Sequence, residues 1–553
     1  MSSAEAQPTP EEPAGPARRR LLWAAGAVSL LLLLSLTPPL MNVNRLRRRI
    51  ATSMSASIGR PVHLDGVSLH LLPIPGFTLQ NLVVSEDPAF GDEPVIRAMK
   101  VEVTLRPSSL WRRQVEISTI RFEVDDNGSA PNLNLVRNAQ GQWNLQSLLM
   151  HAAEVDTAPT AQSTPGPTPR FPYIEATGGR VNIKLGEEKQ PFSLTDADFA
   201  LWLPKPEQWR VRLEGKPMRT DTNAADTGTV RLEGQLQRAA TMGEVPVDLR
   251  ASWYNAPMGE ASKLLMGVDA GWRGTLLVDA TLLGPLSAAR LTTTVHVNDL
   301  RRADFVPARS LDLSAECSGQ LDVQSAVVTS PSCSLPTPVP AGGKQPGQVA
   351  AVADRVDLAA LHSRGFGMTG VRLGMTNVPD GWLLDWARLF SRRIPAGESP
   401  QGAVGGTVLF ERGDERMPPS LQGSAHGEVK GLLPWQKQDA DAGMHPVELS
   451  FEHRGVLLAP IAITSSEAPL TLSGEATPAG YSLHLAGTAT AAQLNTLRGL
   501  LPPLGDGMDT ALPELTDGGS KPLKVNLTCT RAWGSEQTCT AAAEPAKPAR
   551  RRR

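Results

Sequence analysis

The sequence predicts a mostly β protein, in which an N-terminal transmembrane helix precedes an elongated antiparallel β-sheet, curved and gutter-like, with a few short helices. Three observations support this fold class. An apolar run stands near the N-terminus, and apolar and polar residues alternate with period two through much of the chain. Gly and Pro are frequent (49 and 47 of 553 residues) while aromatic residues make up only 5%. Such a composition is typical of many short strands rather than of large helical cores.

The apolar run extends from Leu21 to Met41 and is long enough to cross a membrane. At ~1.5 Å per residue, its length matches the ~30 Å hydrocarbon core of a bilayer. A cleavable signal peptide is the alternative, but Thr37-Pro38-Pro39-Leu40-Met41 offers no Ala-x-Ala cleavage site. The run therefore predicts an uncleaved signal anchor at 21–41, after a disordered cytoplasmic tail at 1–20.

The four cysteines indicate the compartment of the remaining chain. They form two close pairs, Cys317 with Cys333 and Cys529 with Cys539, without the C-x-x-C spacing of a metal site. Two hairpin-closing disulfides are favoured over four unrelated reduced thiols, and disulfides require an oxidising compartment. Arginines flank the anchor on both sides, so the positive-inside rule does not decide its orientation. We therefore expect a single-pass inner-membrane protein with a large periplasmic body.

The alternating segments predict strands that have one apolar and one polar face. An apolar face that runs across a long sheet must be covered by a second sheet, a partner protein or lipid. Where the cover is lipid, the side chains expected to face it include Val101, Val103, Val211, Leu213, Leu483 and Leu485.

Other patterns mark helices, turns and linkers along the chain. Helices are expected at 43–58, 257–267, 381–394 and 491–501, where apolar residues recur at helical spacing. Several alternating runs end in Leu-x-Gly, and turns are expected at these glycines: Gly215, Gly234, Gly474 and Gly487. After the tail and the anchor, the predicted regions are a β domain at 42–150, a Pro-rich linker at 151–172, a β-rich region at 173–335, a Pro/Gly linker at 336–348, a β-rich region at 349–540 and a disordered basic tail at 541–553.

No pattern in the sequence indicates catalysis, a cofactor or a metal. Gly365-Phe366-Gly367-Met368-Thr369-Gly370 has the spacing of a dinucleotide-binding loop, but a strand-like run follows it where a helix is required. Asp125-Asp126-Asn127-Gly128 is interpreted as a hairpin turn rather than a metal ligand set. The nine histidines are scattered, and the net charge of −2 excludes a general nucleic-acid-binding surface.

The stretch from the anchor to about Leu149 resembles the AsmA family of Gram-negative envelope proteins. The resemblance is carried by a series of short motifs in a characteristic order. They are Ile58-Gly59-Arg60-Pro61-Val62, Leu72-Pro73-Ile74-Pro75-Gly76-Phe77-Thr78-Leu79, Asp87-Pro88-Ala89-Phe90-Gly91-Asp92-Glu93-Pro94, Leu133-Asn134-Leu135-Val136-Arg137 and Gly141-Gln142-Trp143-Asn144-Leu145. Downstream, Gly271-Trp272-Arg273-Gly274 fits the same family with lower specificity.

The resemblance implies an inner-membrane anchor, a periplasmic β-rich body and a part in outer-membrane biogenesis. It also implies kinship with the TamB-type and chorein-type bridge-like lipid transfer proteins, whose curved sheets carry acyl chains. The leading hypothesis is therefore a non-enzymatic protein that binds or transfers phospholipid along its apolar strand face. The alternative is an assembly factor that acts on outer-membrane proteins through its sheet edges or through envelope partners. A third hypothesis is a hydrolase or glycan-active enzyme of the envelope.

Overall fold

Strands dominate the described chain, which confirms the mostly β fold class. The computed structural model describes residues 20, 23–26, 28–29, 43–70, 74–106, 117–138, 142–145, 172–185, 188–205, 207–304, 306–307, 310–358, 367–390, 400–411, 420–430, 445–453, 455–464, 468–500, 522–532 and 535–541. The chain divides into two compact units, Met1–Thr220 and Asp221–Arg553, called unit 1 and unit 2 below.

The predicted anchor at 21–41 lies mostly outside the described residues. Among the residues that are described, no helix is both long enough and apolar enough to cross a membrane. The anchor therefore stays a prediction.

Unit 1 contains the helix Val43–Ile58 and a mixed sheet, and the described residues 20, 23–26 and 28–29 are helical as well. The elements are α1 (Val43–Ile58), β1 (Val62–His63), β2 (Gly66–His70), β3 (Gly76–Val84), β4 (Ile96–Leu105), β5 (Ile117–Glu123), β6 (Asn132–Arg137), β7 (Tyr173–Leu185), β8 (Glu188–Lys205) and β9 (Gln208–Arg219).

At two places in this sheet, two short consecutive strands lie end to end where one long strand would otherwise lie. β1 and β2 both pair with β3, and β5 and β6 both lie between β4 and β7. β5 and β6 run antiparallel to β4 but parallel to β7. The predicted antiparallel sheet is therefore mixed at this point. Residues 138–172 connect β6 to β7 and are numerous enough for the chain to return to the level of Thr119 in β5 before β7 begins, whereas a tight hairpin would enforce antiparallel pairing.

Unit 2 is a long antiparallel meander with three described α-helices. Its strands are β10 (Thr229–Gln237), β11 (Pro246–Pro257), β12 (Trp272–Pro285), β13 (Ala289–Arg302), β14 (Leu311–Asp322), β15 (Val327–Thr337), β16 (Gly347–Val352), β17 (Arg355–Asp357), β18 (Gly367–Thr369), β19 (Val371–Pro379), β20 (Gln401–Glu411), β21 (Ser420–Lys430), β22 (His445–His453), β23 (Gly455–Ala462), β24 (Thr471–Thr477), β25 (Gly480–Thr490), β26 (Pro522–Ala532) and β27 (Thr538–Ala541). Its helices are α2 (Met258–Met266), α3 (Asp380–Phe390) and α4 (Ala491–Leu500).

Each sheet position in unit 2 pairs with the position that follows it in the chain. β16 and β17 together form one position, as do β18 and β19, and the hairpin partners are otherwise consecutive strands. The helices were predicted at 257–267, 381–394 and 491–501, and their ends lie no more than four residues from those limits. Residues 338–346, inside the predicted linker at 336–348, connect the paired strands β15 and β16.

The prediction of turns at the Leu-x-Gly glycines is wrong. Gly215, Gly234, Gly474 and Gly487 all lie inside strands. Gly487 has φ +130°, and a Cβ placed there would collide with the carbonyl oxygen of Pro469 in the neighbouring backbone. Such glycines permit a distorted, close strand approach, which their sequence context does not distinguish from a turn.

Candidate functional site

One apolar face runs without interruption across the sheet of unit 2. Residues directly opposite each other on neighbouring strands have side chains on the same face. From Ala251 on β11, direct pairing continues through Ala280 to Thr293 and then reaches the two cysteines Cys317 and Cys333. The same line of pairs, called row A below, extends from β10 to β25: Leu232, Ala251, Ala280, Thr293, Cys317, Cys333, Ala351, Leu373, Val408, Gly423, Phe451, Val456, Ala476 and Tyr481.

Apart from Ala476 and Gly423, which are exposed, the residues of row A are partly buried. Ala251, Ala280 and Thr293 are half-buried. Their sequence neighbours Thr281 and Thr292 are exposed on the opposite face, where charged and hydroxyl side chains predominate. Every described strand of the unit belongs to a single sheet, so no second sheet within the described residues covers row A. An apolar row shielded only by its neighbours has room for an apolar ligand.

Unit 1 has an apolar face of the same kind. Val103 lies opposite Ile120, and the line of pairs continues to Val211. The full line is Leu69, Phe77, Val103, Ile120, Ile174, Leu201 and Val211. A second line beside it joins Val101 to Leu213: Val67, Leu79, Val101, Phe122, Ala176, Phe199 and Leu213.

The six side chains expected to face lipid fall into two groups by burial. Val101 and Val103 are 0% and 2% exposed, and they belong to a closed cluster onto which Ile50, Ala51 and Met54 of α1 pack. Leu485 is 1% exposed in a cluster that contains residues of α4. Because helices close these two clusters, the three side chains have no open side for a ligand.

Val211, Leu213 and Leu483 make up the second group and are half-buried. Leu483 stands between Gly474 and Cys529 on the apolar face of unit 2. These three side chains stay candidates for lipid contact.

The three helices of unit 2 cover the same end of the apolar face. α2, α3 and α4 follow β11, β19 and β25, which point in the same direction because an even number of antiparallel steps separates them. Leu389, Trp382 and Trp386 of α3 join Leu276 and Val297 of the sheet in one apolar cluster. Leu494 and Leu497 of α4 pack on Leu472, Leu485 and Leu527. The helices therefore cover this end of the apolar face and leave the middle of the strands uncovered.

Helices α2 and α3 both follow the same sequence pattern. Asn255-Ala256-Pro257-Met258-Gly259 and Asn377-Val378-Pro379-Asp380-Gly381 share the pattern Asn-x-Pro-x-Gly. Asn255 and Asn377 have φ +56° and +52°, a conformation that Asn tolerates better than most residues, and the pairing register shifts at both places. The following Ala256 and Val378 are fully buried. The bulge thus turns the chain so that a helix can begin directly after the proline and cross the apolar face.

α3 is fixed to the sheet by a buried arginine. Arg302 on β13 donates hydrogen bonds to the carbonyl oxygens of Arg388 (2.8 Å) and Leu389 (3.2 Å) at the C-terminal end of α3. It also contacts the Asp304 carboxylate. Within α3, Arg388 forms a buried ion pair with Asp385 at 3.1 Å. A cation at a helix C-terminus is favourable because the last carbonyl groups lack helical partners.

A second apolar cluster lies at the other end of the strands in β10–β14. Val247, Leu286 and Ala289 are buried there, with Met242 and Leu249 packed against them. Across these strands, row A is consequently bounded on one side by the helices and on the other by this cluster.

Both predicted disulfides are confirmed, and both lie on the apolar face. Cys317 pairs with Cys333 inside row A, and Cys529 pairs with Cys539 at the edge strand β27, each with a Cα–Cα distance of 4.0 Å. The chain has no free cysteine. The first bond therefore adds apolar sulfur to the floor of row A, and the second fixes the short β27 to β26.

Several of the motifs that resemble the AsmA family contribute residues to a buried polar network of unit 1, which is centred on Glu86. Glu86 forms an ion pair with Arg60 at 3.2 Å and accepts a hydrogen bond from Asn144. The Asn144 amide also donates to the Asn134 carbonyl, and its oxygen accepts from the backbone of Val136. Sequence reasoning used these motifs only as family markers. Their polar residues between apolar ones are the signal that could have predicted a shared buried site.

The remaining candidate motifs show no arrangement for catalysis. The Gly128 amide donates to the Asp125 carbonyl at 2.9 Å, and the Asp125 carboxylate accepts from Asn127 and Ser129, which confirms a turn. The turn does not close the expected hairpin, because the flanking strands β5 and β6 both pair with β4 and β7 instead of with each other. Gly370 follows the short strand β18 and precedes β19, while 365–366 lie outside the described residues. Among the described residues, no group of three or more His, Cys, Asp or Glu side chains is arranged to hold a metal.

Comparison with known proteins finds a family match for the N-terminal part of the chain. The model of the AsmA family matches residues 17–190. This match confirms the resemblance seen in the motifs and extends it beyond Leu149 into β7 and β8. No curated protein and no solved structure matches the chain.

Proposed function

We propose that this AsmA-type protein binds phospholipid along the apolar face of its sheet and moves it within a Gram-negative envelope, without enzymatic activity. In this proposal the 21–41 segment anchors the chain in the inner membrane and the two units lie in the periplasm. The chain would then act in outer-membrane biogenesis, by the principle of the TamB-type and chorein-type bridge-like proteins. The family match to residues 17–190 supports an envelope role.

The observation that carries the proposal is row A. After Leu232, row A continues through β11–β16 with small side chains, namely Ala251, Ala280, Thr293, the Cys317–Cys333 disulfide and Ala351. Larger residues flank this part on both sides, including Trp253 and Val278 toward the helices and Leu249 and Leu282 toward the other end. Small residues between larger ones make a shallow channel that crosses the strands.

The channel is long enough for an acyl chain. Six neighbouring strands at ~4.8 Å spacing give a length of roughly 24 Å. One leaflet of a bilayer holds acyl chains in roughly 15 Å, half of its ~30 Å core. Each buried CH₂ group contributes about 0.8 kcal/mol, so even partial contact with the channel stabilises a bound lipid.

The experiment uses two adjacent threonines that face opposite sides of the same strand. Thr293→Asp places a charge in row A, and Thr292→Asp places the same charge on the exposed face. The full chain is purified under mild conditions, and the retained phospholipid per protein is measured by mass spectrometry. Thr293→Asp should retain several-fold less phospholipid than the wild type, and Thr292→Asp should match it. Equal phospholipid in all three proteins, or none in the wild type, would refute the proposal.

An assembly role is the second candidate, and the edge strand supports it. β27 pairs only with Leu527–Thr530, so 522–526 of β26 pair with β25 alone among the described residues. An unpaired strand edge can accept a strand from another protein. A purified chain that carries a stoichiometric protein partner but no lipid would favour this function.

A further inference from the structure

The N-terminal end of α1 is directed along β2 toward the connection between β2 and β3. Its Ser55 hydroxyl accepts a hydrogen bond from the Val62 amide at the start of β1. One end of α1 is thereby placed beside β1. Eight residues earlier, Arg47 donates to the carbonyl oxygen of Asp65, just before β2. The helix therefore runs antiparallel to β1 and β2, and its N-terminal end lies on the side of the β2–β3 connection.

The apolar side of α1 is already used by the sheet. Ile50, Ala51 and Met54 pack onto the closed cluster of unit 1. Arg48 and Arg49 stand on the exposed side of the helix. Among the side chains of α1 that the structure describes, the apolar ones pack on the sheet, and Arg48 and Arg49 offer positive charge to a surface.

An exposed apolar residue lies at the strand end that the N-terminal end of α1 faces. Ile74 is 50% exposed, and it stands between two prolines in the connection from β2 to β3. The neighbouring strand β4 ends at the same place, because the Leu105 amide donates to the Pro75 carbonyl at 2.8 Å. Arg106 follows directly and adds another cation to this edge.

The heights of these groups along the strand direction fit the layers of a membrane surface. At ~3.3 Å per residue, Ile74 projects roughly 15–20 Å beyond Asp65 along β2. The helix extends only about 6 Å beyond Arg47 to its first residue, Val43. Ile74 thus reaches roughly 10 Å past the start of α1, the depth at which interfacial apolar groups lie. Arg48 and Arg49 lie roughly 17–23 Å behind Ile74 along the same direction, so their long side chains must extend toward the surface to reach the headgroups.

We propose that this edge of unit 1 rests on the surface of an anionic phospholipid bilayer, with Ile74 in the interface and Arg48 and Arg49 at the headgroups. The proposal rests on the predicted anchor, which ends at Met41, two residues before α1 begins. The occupant is an anionic leaflet, because the exposed side of α1 carries arginines and no acidic residue occurs between Val43 and Ile58. This proposal does not depend on lipid transport along the apolar face.

The test places an environment-sensitive fluorophore at Ile74. All four native cysteines are disulfide-bonded, so Ile74→Cys supplies a single thiol for labelling with NBD. Asp92→Cys is the control, since it is exposed in the β3–β4 connection at the opposite strand end. Both full-length variants are assembled into nanodiscs of phosphatidylethanolamine alone, or with 30% phosphatidylglycerol, and probed with doxyl-labelled lipid.

The expected result is a blue-shifted NBD emission at residue 74 that doxyl lipid quenches, stronger with phosphatidylglycerol, and no change at residue 92. Adding Arg48→Glu and Arg49→Glu should abolish the difference between the two lipid compositions. Circular dichroism melts identify any variant that does not fold. Ile74→Ser is a second, milder change at the same position, and it should reduce the quenching by doxyl lipid of an NBD label on a neighbouring residue. Emission at residue 74 that matches residue 92, or failure of the folded chain to enter nanodiscs, would overturn the proposal.

Discussion

Ala280 on β12 lies directly opposite Thr293 on β13, and both side chains are half-buried although no second sheet of the described chain covers them. Alanine and threonine at these positions leave space between the larger side chains on either side. In a closed β-sandwich the same positions would interdigitate with a facing sheet. The pair therefore marks the place where the apolar face is open to a ligand.

Val103 and Val211 should respond differently to the same substitution. Val103→Asp buries a carboxylate in the cluster closed by α1, so it should cost about 4 kcal/mol or more of unfolding free energy. Val211→Asp places the charge at a half-buried position and should cost about 1–2 kcal/mol while reducing retained phospholipid. Urea unfolding monitored by circular dichroism measures both. A Val103→Asp variant as stable as Val211→Asp would contradict the assignment of Val103 to a closed core.

Arg302 should hold α3 on the sheet. Arg302→Met removes two hydrogen bonds to the helix carbonyls and leaves them buried, so we expect a loss of about 2–3 kcal/mol. Arg301→Met is the matched control, because the side chain of Arg301 is 42% exposed and should contribute less than about 0.5 kcal/mol. Thermal melts of the two variants should differ clearly. Equal melting temperatures would show that α3 does not depend on Arg302.

Asp380 should make stability depend on pH. Burial raises the pKa of its carboxyl to about 6 from an ordinary value near 3.8, and its Oδ2 atom is buried without a hydrogen-bond partner among the described residues. The protonated form is favoured in the folded state, so its stabilising effect is complete below about pH 3.8 and is lost as the pH rises through about 6. Asp380→Asn should melt higher than the wild type at pH 7.5 and close to it at pH 4. A difference that stays constant with pH would refute this assignment.

The Cys529–Cys539 bond should secure the edge of unit 2. The Cys529→Ala and Cys539→Ala double variant loses the constraint on a ten-residue loop, which is worth about 2–3 kcal/mol in the unfolded-state entropy model. β27 is only four residues long, so we expect limited proteolysis near 538–541 to be several-fold faster in this variant. The Cys317→Ala and Cys333→Ala pair, inside the meander, should leave cleavage at this site unchanged. Protection of β27 in both variants would contradict the role of the bond.

Sequence alone predicted the elements better than the closure of the apolar face. Period-two alternation and Pro or Gly boundaries located strands and helices, because these are local signals. Val103 and Val211 have the same alternating context, yet only Val103 lies under α1. Tertiary packing decides which part of a strand face a distant helix covers, and the local sequence of the strand does not indicate it.

The parallel pairing of β5 and β6 with β7 was not predicted, for a related reason. The choice between parallel and antiparallel pairing depends on the long connection before Tyr173 and not on the strand sequences themselves. The buried network of Arg60, Glu86 and Asn144 likewise joins segments up to 84 residues apart in the sequence. Each motif was visible, but only the fold shows that they meet.

Lipid cross-linking from defined positions tests the central claim most directly. A photoreactive benzoylphenylalanine is introduced at Ala280 or Leu483 on the apolar face, and at Thr281 or Ser482 beside them on the opposite face. The full chain is expressed in a Gram-negative cell, irradiated in the intact envelope and analysed by mass spectrometry for phospholipid adducts. We predict adducts at 280 and 483 and none at 281 and 482. Adducts on both faces alike, or on neither, would contradict phospholipid binding along the apolar face.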